Sequence, residues 1–391
     1  MYWFSRKKKQ TPPVTGLILP GGGARNAYQV GVLKAIAELL PANAKNPFPV
    51  ISGSSSGAIN AAILASNAMQ FSEGVSRLTG IWENFHCGKV FYADSWRALK
   101  SGLLWTTAFA TARLGTTAPR ALLDNQPLRE MLESHIRFAR IQQSIDSGAL
   151  RALAINASGY SSGRSISYFQ GIQGLKPWER ARRCGLADEI SIDHLMASSG
   201  IPLVFPAVWL HNEYHGDGAM RQTAPLSPAI HLGANRLLII GIRNSELDLL
   251  PSAADKPYPT IGHISGYMLD TLFMDSLDSD IERMNRINHT LSHTRDNQVE
   301  YIDTTLQPIE FLSISPSVDI REIAERHVLD FPRSVRVLLK GLGALSREGR
   351  PLISYLLFEA PFCQELIALG YRDGMSSRHE ILELLNTDSS S

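Results

Sequence analysis

"ISGSSSGAIN", residues 51–60, sets three serines in a row between two glycines. In the pattern G-x-S-x-G, glycines two places before and two places after a serine let a strand turn sharply into a helix, with the serine at the strained apex. One register satisfies it: Gly53, Ser54, Ser55, Ser56, Gly57. Ser54 and Ser56 each lack both flanking glycines. Upstream, "PFPVIS" (47–52) is a short apolar run with β-branched Val50 and Ile51, which predicts a buried strand. Downstream, "AINAAILASNAM" (58–69) is rich in small helix formers. A strand, a tight turn and a helix in that order predict an α/β fold. They make Ser55 a candidate nucleophile, which needs a base and an oxyanion site from elsewhere in the chain.

Just before this stretch lie "VTGLIL" (14–19), a strand candidate, the loop "PGGGARN" (20–26) and "AYQVGVLKAIAELL" (27–40). In the last of these, Val30, Leu33, Ala37 and Leu40 recur at helical spacing, and Pro41 stops the helix. The chain therefore opens strand–loop–helix–strand–turn–helix, the start of a parallel sheet with covering helices. Gly21, Gly22 and Gly23 follow the first strand and open the first helix. Backbone amides there can point outward together at a helix N-terminus, a cradle for a phosphate or for the oxyanion of a tetrahedral intermediate.

The phosphate readings are weaker. A P-loop needs G-K-[ST] at the end of its glycine loop, and it is absent. A dinucleotide fingerprint needs a third glycine where Asn26 stands, and an acidic residue at the end of the second strand, where "SGSSSG" stands instead.

Further on, "QPLREMLESHI" (126–136) reads as a helix, and "RALAINASGYSSGRSISYFQG" (151–171) as two strands joined by a Gly-Ser turn. "SIDHLMASSGIPLVFPAVWL" (191–210) reads as a helix capped by Ser191, broken before Pro202 and leading into a strand. "RLLIIGIRN" (236–244) is another buried strand. Apolar residues from Ile261 to Leu291 predict one long helix, followed by a short strand "IEFLSISP" (309–316) and C-terminal helices. The apolar "GLLWTTAFATARLG" (102–115) is too short to span a bilayer and reads as a core helix, with a lid as the alternative. The proline-rich "LLPSAADKPYP" (249–259) is the best soft boundary, and "NTDSSS" (386–391) a disordered end.

With 391 residues, 44% of them hydrophobic and 19% charged, the chain can bury a sizeable core. A net charge of +1 gives no general pull toward nucleic acid. The cysteines Cys87, Cys184 and Cys363 are scattered and lack metal-site spacing, which points to buried thiols in a reducing compartment. No metal or other cofactor is expected. The N-terminus carries Tyr2, Trp3 and Phe4 beside Arg6, Lys7, Lys8 and Lys9, without the apolar stretch of a signal peptide. Aromatic rings with cations suit a membrane interface; a solubilising tail fits equally well.

The base is the remaining gap. His194, His211, His215 and His231 are candidates for a Ser-His-Asp triad, none with a telling neighbourhood. In "YHGDGAM" (214–220), Asp217 lies between two glycines on a loop that could carry its carboxylate to a site, though Asp-Gly is also a plain turn signal.

Taken together, "GGGARN", "GSSSG" and "DGA" in this order resemble the patatin-like phospholipase family, whose pattern is G-G-G-x-R-G, then G-x-S-x-G, then D-G-A or D-G-G. "ASSGIPLVFPAV" is similar to the family's segment upstream of its aspartate. The resemblance runs from about Leu17 to Leu232. It implies a three-layer α/β/α fold with a mostly parallel central sheet and a C-terminal helical extension. It also implies that Ser55 and Asp217 form a dyad without histidine, that amides of Gly21, Gly22, Gly23, Ala24 and Arg25 form the oxyanion hole, and that Gly53 and Gly57 shape the elbow. Arg25 is expected to brace the loop through its side chain. The implied reaction is hydrolysis of phospholipid or lysophospholipid acyl esters through an acyl-enzyme, in the cytoplasm or at a membrane surface.

Asn26 departs from the family's glycine; its tolerance of left-handed backbone predicts that the loop keeps its shape. A carboxylesterase on short soluble esters and a silent lipid-binding scaffold are the other readings. The implied division is a tail at 1–13, a patatin-like catalytic domain at 14–235, a remaining strand and helical region at 236–385, and a tail at 386–391.

Overall fold

A computed structural model describes residues 13–92, 121–244, 258–296, 306–345 and 349–385. The basic aromatic N-terminus, the stretch 102–115 and most of the proline-rich boundary lie outside the described residues.

The opening has the expected elements: β1 (Thr15–Leu19), α1 (Ala27–Leu39), β2 (Val50–Ser54), α2 (Ser56–Ser66) and α3 (Phe71–Glu83). Next come α4 (Gln126–His135), α5 (Ala139–Asp146) and the hairpin of β3 (Ala152–Gly159) and β4 (Ser165–Gly171). Two short strands, β5 (Trp178–Arg180) and β6 (Arg183–Ala187), lead to α6 (Ile192–Ser198). A second hairpin, β7 (Val208–Leu210) and β8 (Glu213–Gly216), is followed by α7 (Ser227–His231) and β9 (Arg236–Ile240).

The predicted long helix is two helices, α8 (Ile261–Asp270) and α9 (Ser276–Asp296), joined by a π-helical turn, Thr271–Asp275. The chain then forms β10 (Glu310–Ile314), α10 (Ile320–Arg326), α11 (Arg333–Gly341), α12 (Arg350–Leu356), α13 (Ala360–Ser376) and α14 (Arg378–Leu385).

One sheet runs in the order β10-β9-β1-β2-β3-β4-β6-β5. From β10 to β3 all neighbours are parallel, with Leu17 opposite Ile51 on one side and Leu238 on the other. Parallel strands need helices on both faces, and the side chains divide accordingly. Leu17, Leu19, Ile51, Leu153 and Leu238 point to a core shared with α1, α2 and α13. Ile18, Val50, Ala152, Leu237 and Ile239 point to the opposite core, which holds Phe273, Leu277 and Met284. This is the expected three-layer α/β/α arrangement.

The chain beyond residue 235 does more than pack against the rest. β9 and β10 extend the sheet past β1, and α1 lies against α13. β1 and β2 end side by side, so the glycine loop and the serine turn leave the sheet at one edge, where ligands of open α/β sheets gather. β8 pairs antiparallel with β3, Gly216 opposite Ser158, and delivers Asp217 to the same edge. Among the described residues, no single helix is long and apolar enough to cross a membrane.

Candidate active site

Ser55 links β2 to α2 with φ 53° and ψ −130°, a conformation that L-residues avoid. The flanking glycines make this turn possible. A Cβ on Gly57 would lie 2.1 Å from the Leu19 carbonyl oxygen, and one on Gly53 2.5 Å from that of Gly57. The elbow is held from outside as well: Ser55 N–H donates to Ser198 Oγ at 2.9 Å, at the end of α6. The neighbouring serines have structural partners. Ser54 Oγ accepts from Asn156 Nδ2 at 3.0 Å, and Ser56 Oγ from Gly22 N–H at 3.3 Å.

Asp217 is fully buried. Its N–H donates to the Gly200 carbonyl at 2.9 Å, and its Oδ1 accepts from Ala219 N–H at 2.9 Å. Its Oδ2 completes no hydrogen bond. Burial pushes the carboxyl up to about 7, while the nearby Ser55 hydroxyl and the Ala219 amide pull it part of the way back. Thus Ser55 approaches the carboxyl without a formed bond, a looseness common in unliganded sites. The structure brings the two sequence candidates together. A serine beside a carboxyl that titrates near neutrality can lose its proton to it.

In the glycine loop, Gly23 takes φ +56° and lies against the Tyr355 carbonyl, 2.3 Å from where a Cβ would be. Gly23 and Ala24 N–H have no acceptor among the described residues, and neither does Ser56 N–H at the start of α2. Two members of the expected oxyanion set are otherwise engaged. Arg25 N–H donates to the Gly22 carbonyl at 3.1 Å, closing the turn, so it is not available to an oxyanion. Gly22 N–H holds Ser56 Oγ.

The Arg25 side chain turns inward under the loop, as a brace. It pairs with Asp270 at 3.0 Å, donates to Ser354 Oγ at 2.9 Å and stacks 3.7 Å over the Tyr355 ring. Asn26 keeps the loop, though not by left-handed backbone: its φ is −69°. Its amide donates to the Pro20 carbonyl at 2.8 Å and to Gln29 Oε1 at 3.0 Å, tying the loop to α1.

The four histidines are engaged elsewhere. His215 Nε2 meets the Tyr168 hydroxyl at 2.9 Å, and His231 stacks on Trp178. His194 and His211 both meet Asp188 Oδ2, at 3.0 and 2.5 Å. These last three side chains are close enough to share a metal ion. However, Ser191 N–H donates to His194 Nδ1 at 3.1 Å, which puts the ring proton on Nε2, facing Asp188. A metal on Nε2 would need the opposite tautomer. The residues fit a hydrogen-bonded cluster at the N-terminus of α6 better than a ligand set.

Sequence reasoning did not single out Ser198 or the Ser56 amide. "ASSG" stands in plain view in the sequence, but a serine that accepts from a backbone amide 143 residues away has no spacing signature.

Two solved structures are similar in outline. Legionella pneumophila VipD shares 12% identity over 96% of this chain and 67% of its own, with a TM-score of 0.36. Human GIVD cytosolic phospholipase A2, in complex with methyl γ-linolenyl fluorophosphonate and terbium chloride, shares 12% over 96% of this chain and 59% of its own, with a TM-score of 0.41. No curated protein matches the chain in sequence. The family description "Patatin-like phospholipase" matches residues 17–230, more than half of the chain and all three glycine-flanked motifs. The chain belongs to the patatin-like phospholipase family.

Proposed function

We propose that this protein is a serine acyl hydrolase that cleaves fatty-acyl esters of phospholipids or lysophospholipids through Ser55 and Asp217. The observation that carries the reading is the buried, unpartnered Asp217 Oδ2 beside the strained Ser55.

Ser55 Oγ attacks the ester carbonyl as its proton passes to Asp217. The amides of Gly23, Ala24 and Ser56 receive the oxyanion, a contribution worth roughly 100- to 1000-fold in rate per donor. The intermediate collapses to an acyl-serine, and Asp217 returns the proton to the departing alcohol. Water then attacks the acyl-serine with Asp217 as base, releasing the fatty acid and restoring the hydroxyl. No step calls for a metal. Cytoplasmic placement, with the stretch around Trp3, Phe4, Arg6, Lys7, Lys8 and Lys9 touching a membrane, belongs to the same proposal.

Fatty-acid release from phospholipid vesicles and turnover of a short p-nitrophenyl ester test it with Ser55→Ala and Asp217→Asn. Loss of vesicle hydrolysis in both variants supports the dyad and the lipid substrate together. Turnover of the short ester alone would favour a carboxylesterase. An active Asp217→Asn variant would remove the dyad.

A further inference from the structure

The helix α8 is inside out. Its buried positions are Gly262, Gly266 and Asp270, while Ile261, Tyr267 and Met268 are 64%, 68% and 64% exposed and Ile264 43%. At about 100° per residue, those four large side chains form a stripe roughly 120° wide, opposite the glycines. The glycines set the helix hard against its support: a Cβ on Gly262 would lie 2.6 Å from the Ala344 backbone, and one on Gly266 2.8 Å from the Leu352 amide nitrogen. A surface helix normally turns its large apolar residues inward, so an outward stripe marks a contact surface.

Alongside lies the end of α11, fixed to α8 by Gly262 N–H donating to the Leu342 carbonyl at 2.8 Å. There Val337 and Leu338 are exposed, and the helix carries Arg333, Arg336 and Lys340 with no acidic residue. Arg333 and Lys340 are exposed and Arg336 is half-buried.

We propose that the outward face of α8 and the adjoining end of α11 seat this protein on an anionic lipid surface. The inference deepens the hydrolase reading and rests on it for its purpose. Aliphatic side chains with a tyrosine and a rim of cations match the interface of a bilayer carrying acidic headgroups. Each cation near such a surface adds attraction that salt weakens.

The face also leads to the candidate site. Asp270, which ends α8, holds Arg25 beneath the glycine loop. Three residues later the π-helical turn plants Phe273 against Gly21. A Cβ on Gly21 would lie 2.8 Å from the Phe273 ring and 2.7 Å from Ser55 Cβ. The segment that carries this face therefore continues directly into the turn that packs on the glycine loop beside Ser55.

Flotation of the full chain with phosphatidylcholine vesicles, with and without phosphatidylglycerol, tests the surface. Wild type and Ser55→Ala should float with the anionic vesicles. Ile264→Ser/Tyr267→Ser/Met268→Ser should lose affinity by about tenfold or more, and Arg336→Glu/Lys340→Glu should lose the preference for phosphatidylglycerol. Circular dichroism and the melting temperature of both variants should stay at wild-type values, because all the altered side chains reach solvent.

A triple variant that floats like wild type, a wild type that does not float, or light scattering showing that this face closes a dimer would each overturn the proposal. Failure of the hydrolase reading would look different: flotation through this face with no ester turnover on any acyl substrate.

Discussion

At the residue scale, the role proposed for Asp217 sets stability against activity. Its ordinary carboxyl value of 3.8 is pushed to about 7 by burial. Between those values the folded chain keeps a proton that the unfolded chain has lost, so stability falls as pH rises through the window. The shift of about three units amounts to roughly 4 kcal/mol in total. The extra stability is complete below the lower value and gone above the upper one. Activity runs the other way, since a base must be unprotonated: kcat/KM should climb to a plateau above about pH 7.

Asp217→Asn should abolish turnover and melt higher than wild type above about pH 8, the gain vanishing toward acid pH. Melting curves and rate profiles taken over the same pH series check both. A wild-type rate independent of pH across neutrality would remove Asp217 as base. Ser55 is legible in the sequence because two glycines single it out among three serines, and Asp217 because three motifs recur in a fixed order. Ser198 is not legible, since its part is a hydrogen bond to an amide far away in the chain.

Between elements, the Arg25–Asp270 pair joins the glycine loop to the end of α8, and Tyr355 closes the group by donating to Asp270 at 2.8 Å. Removing one partner leaves the other charge buried and uncompensated. Asp270→Ala should cost about 3–5 kcal/mol in urea unfolding and lower kcat more than it raises KM. Arg25→Lys should recover little, because an ammonium cannot reach Asp270, Ser354 and the Tyr355 face together. An unchanged kcat in a folded Asp270→Ala chain would show that the loop holds its shape unaided.

Periodicity found the helices here but not their phase. Ile261, Ile264 and Met268 keep helical spacing in sequence, yet the structure turns them outward and buries Gly262 and Gly266 instead. The π-helical turn is equally hidden, since the apolar residues on each side of it keep helical spacing while the phase changes between them.

At the scale of the whole molecule, the three glycine-flanked motifs and the chain beyond residue 235 share one sheet and both cores. β9 covers the open side of β1, and Phe273, Leu277 and Met284 fill the second core. Residues 14–235 expressed alone should aggregate or melt without a cooperative transition, read by size-exclusion chromatography and circular dichroism. A soluble, cooperatively folded fragment would show that β9 and β10 are dispensable. Strand identities were legible from short apolar runs, but the place of β9 between β1 and β10 was not, because parallel pairing joins segments that carry no mark of each other.

That pairing has a consequence in time. Thr15 waits for Arg236. At about 5–20 residues per second, a ribosome delivers β9 roughly 10–40 s after β1 has emerged. Throughout that interval the nascent chain presents one apolar strand edge with no mate, a template for mispairing until the late strand arrives.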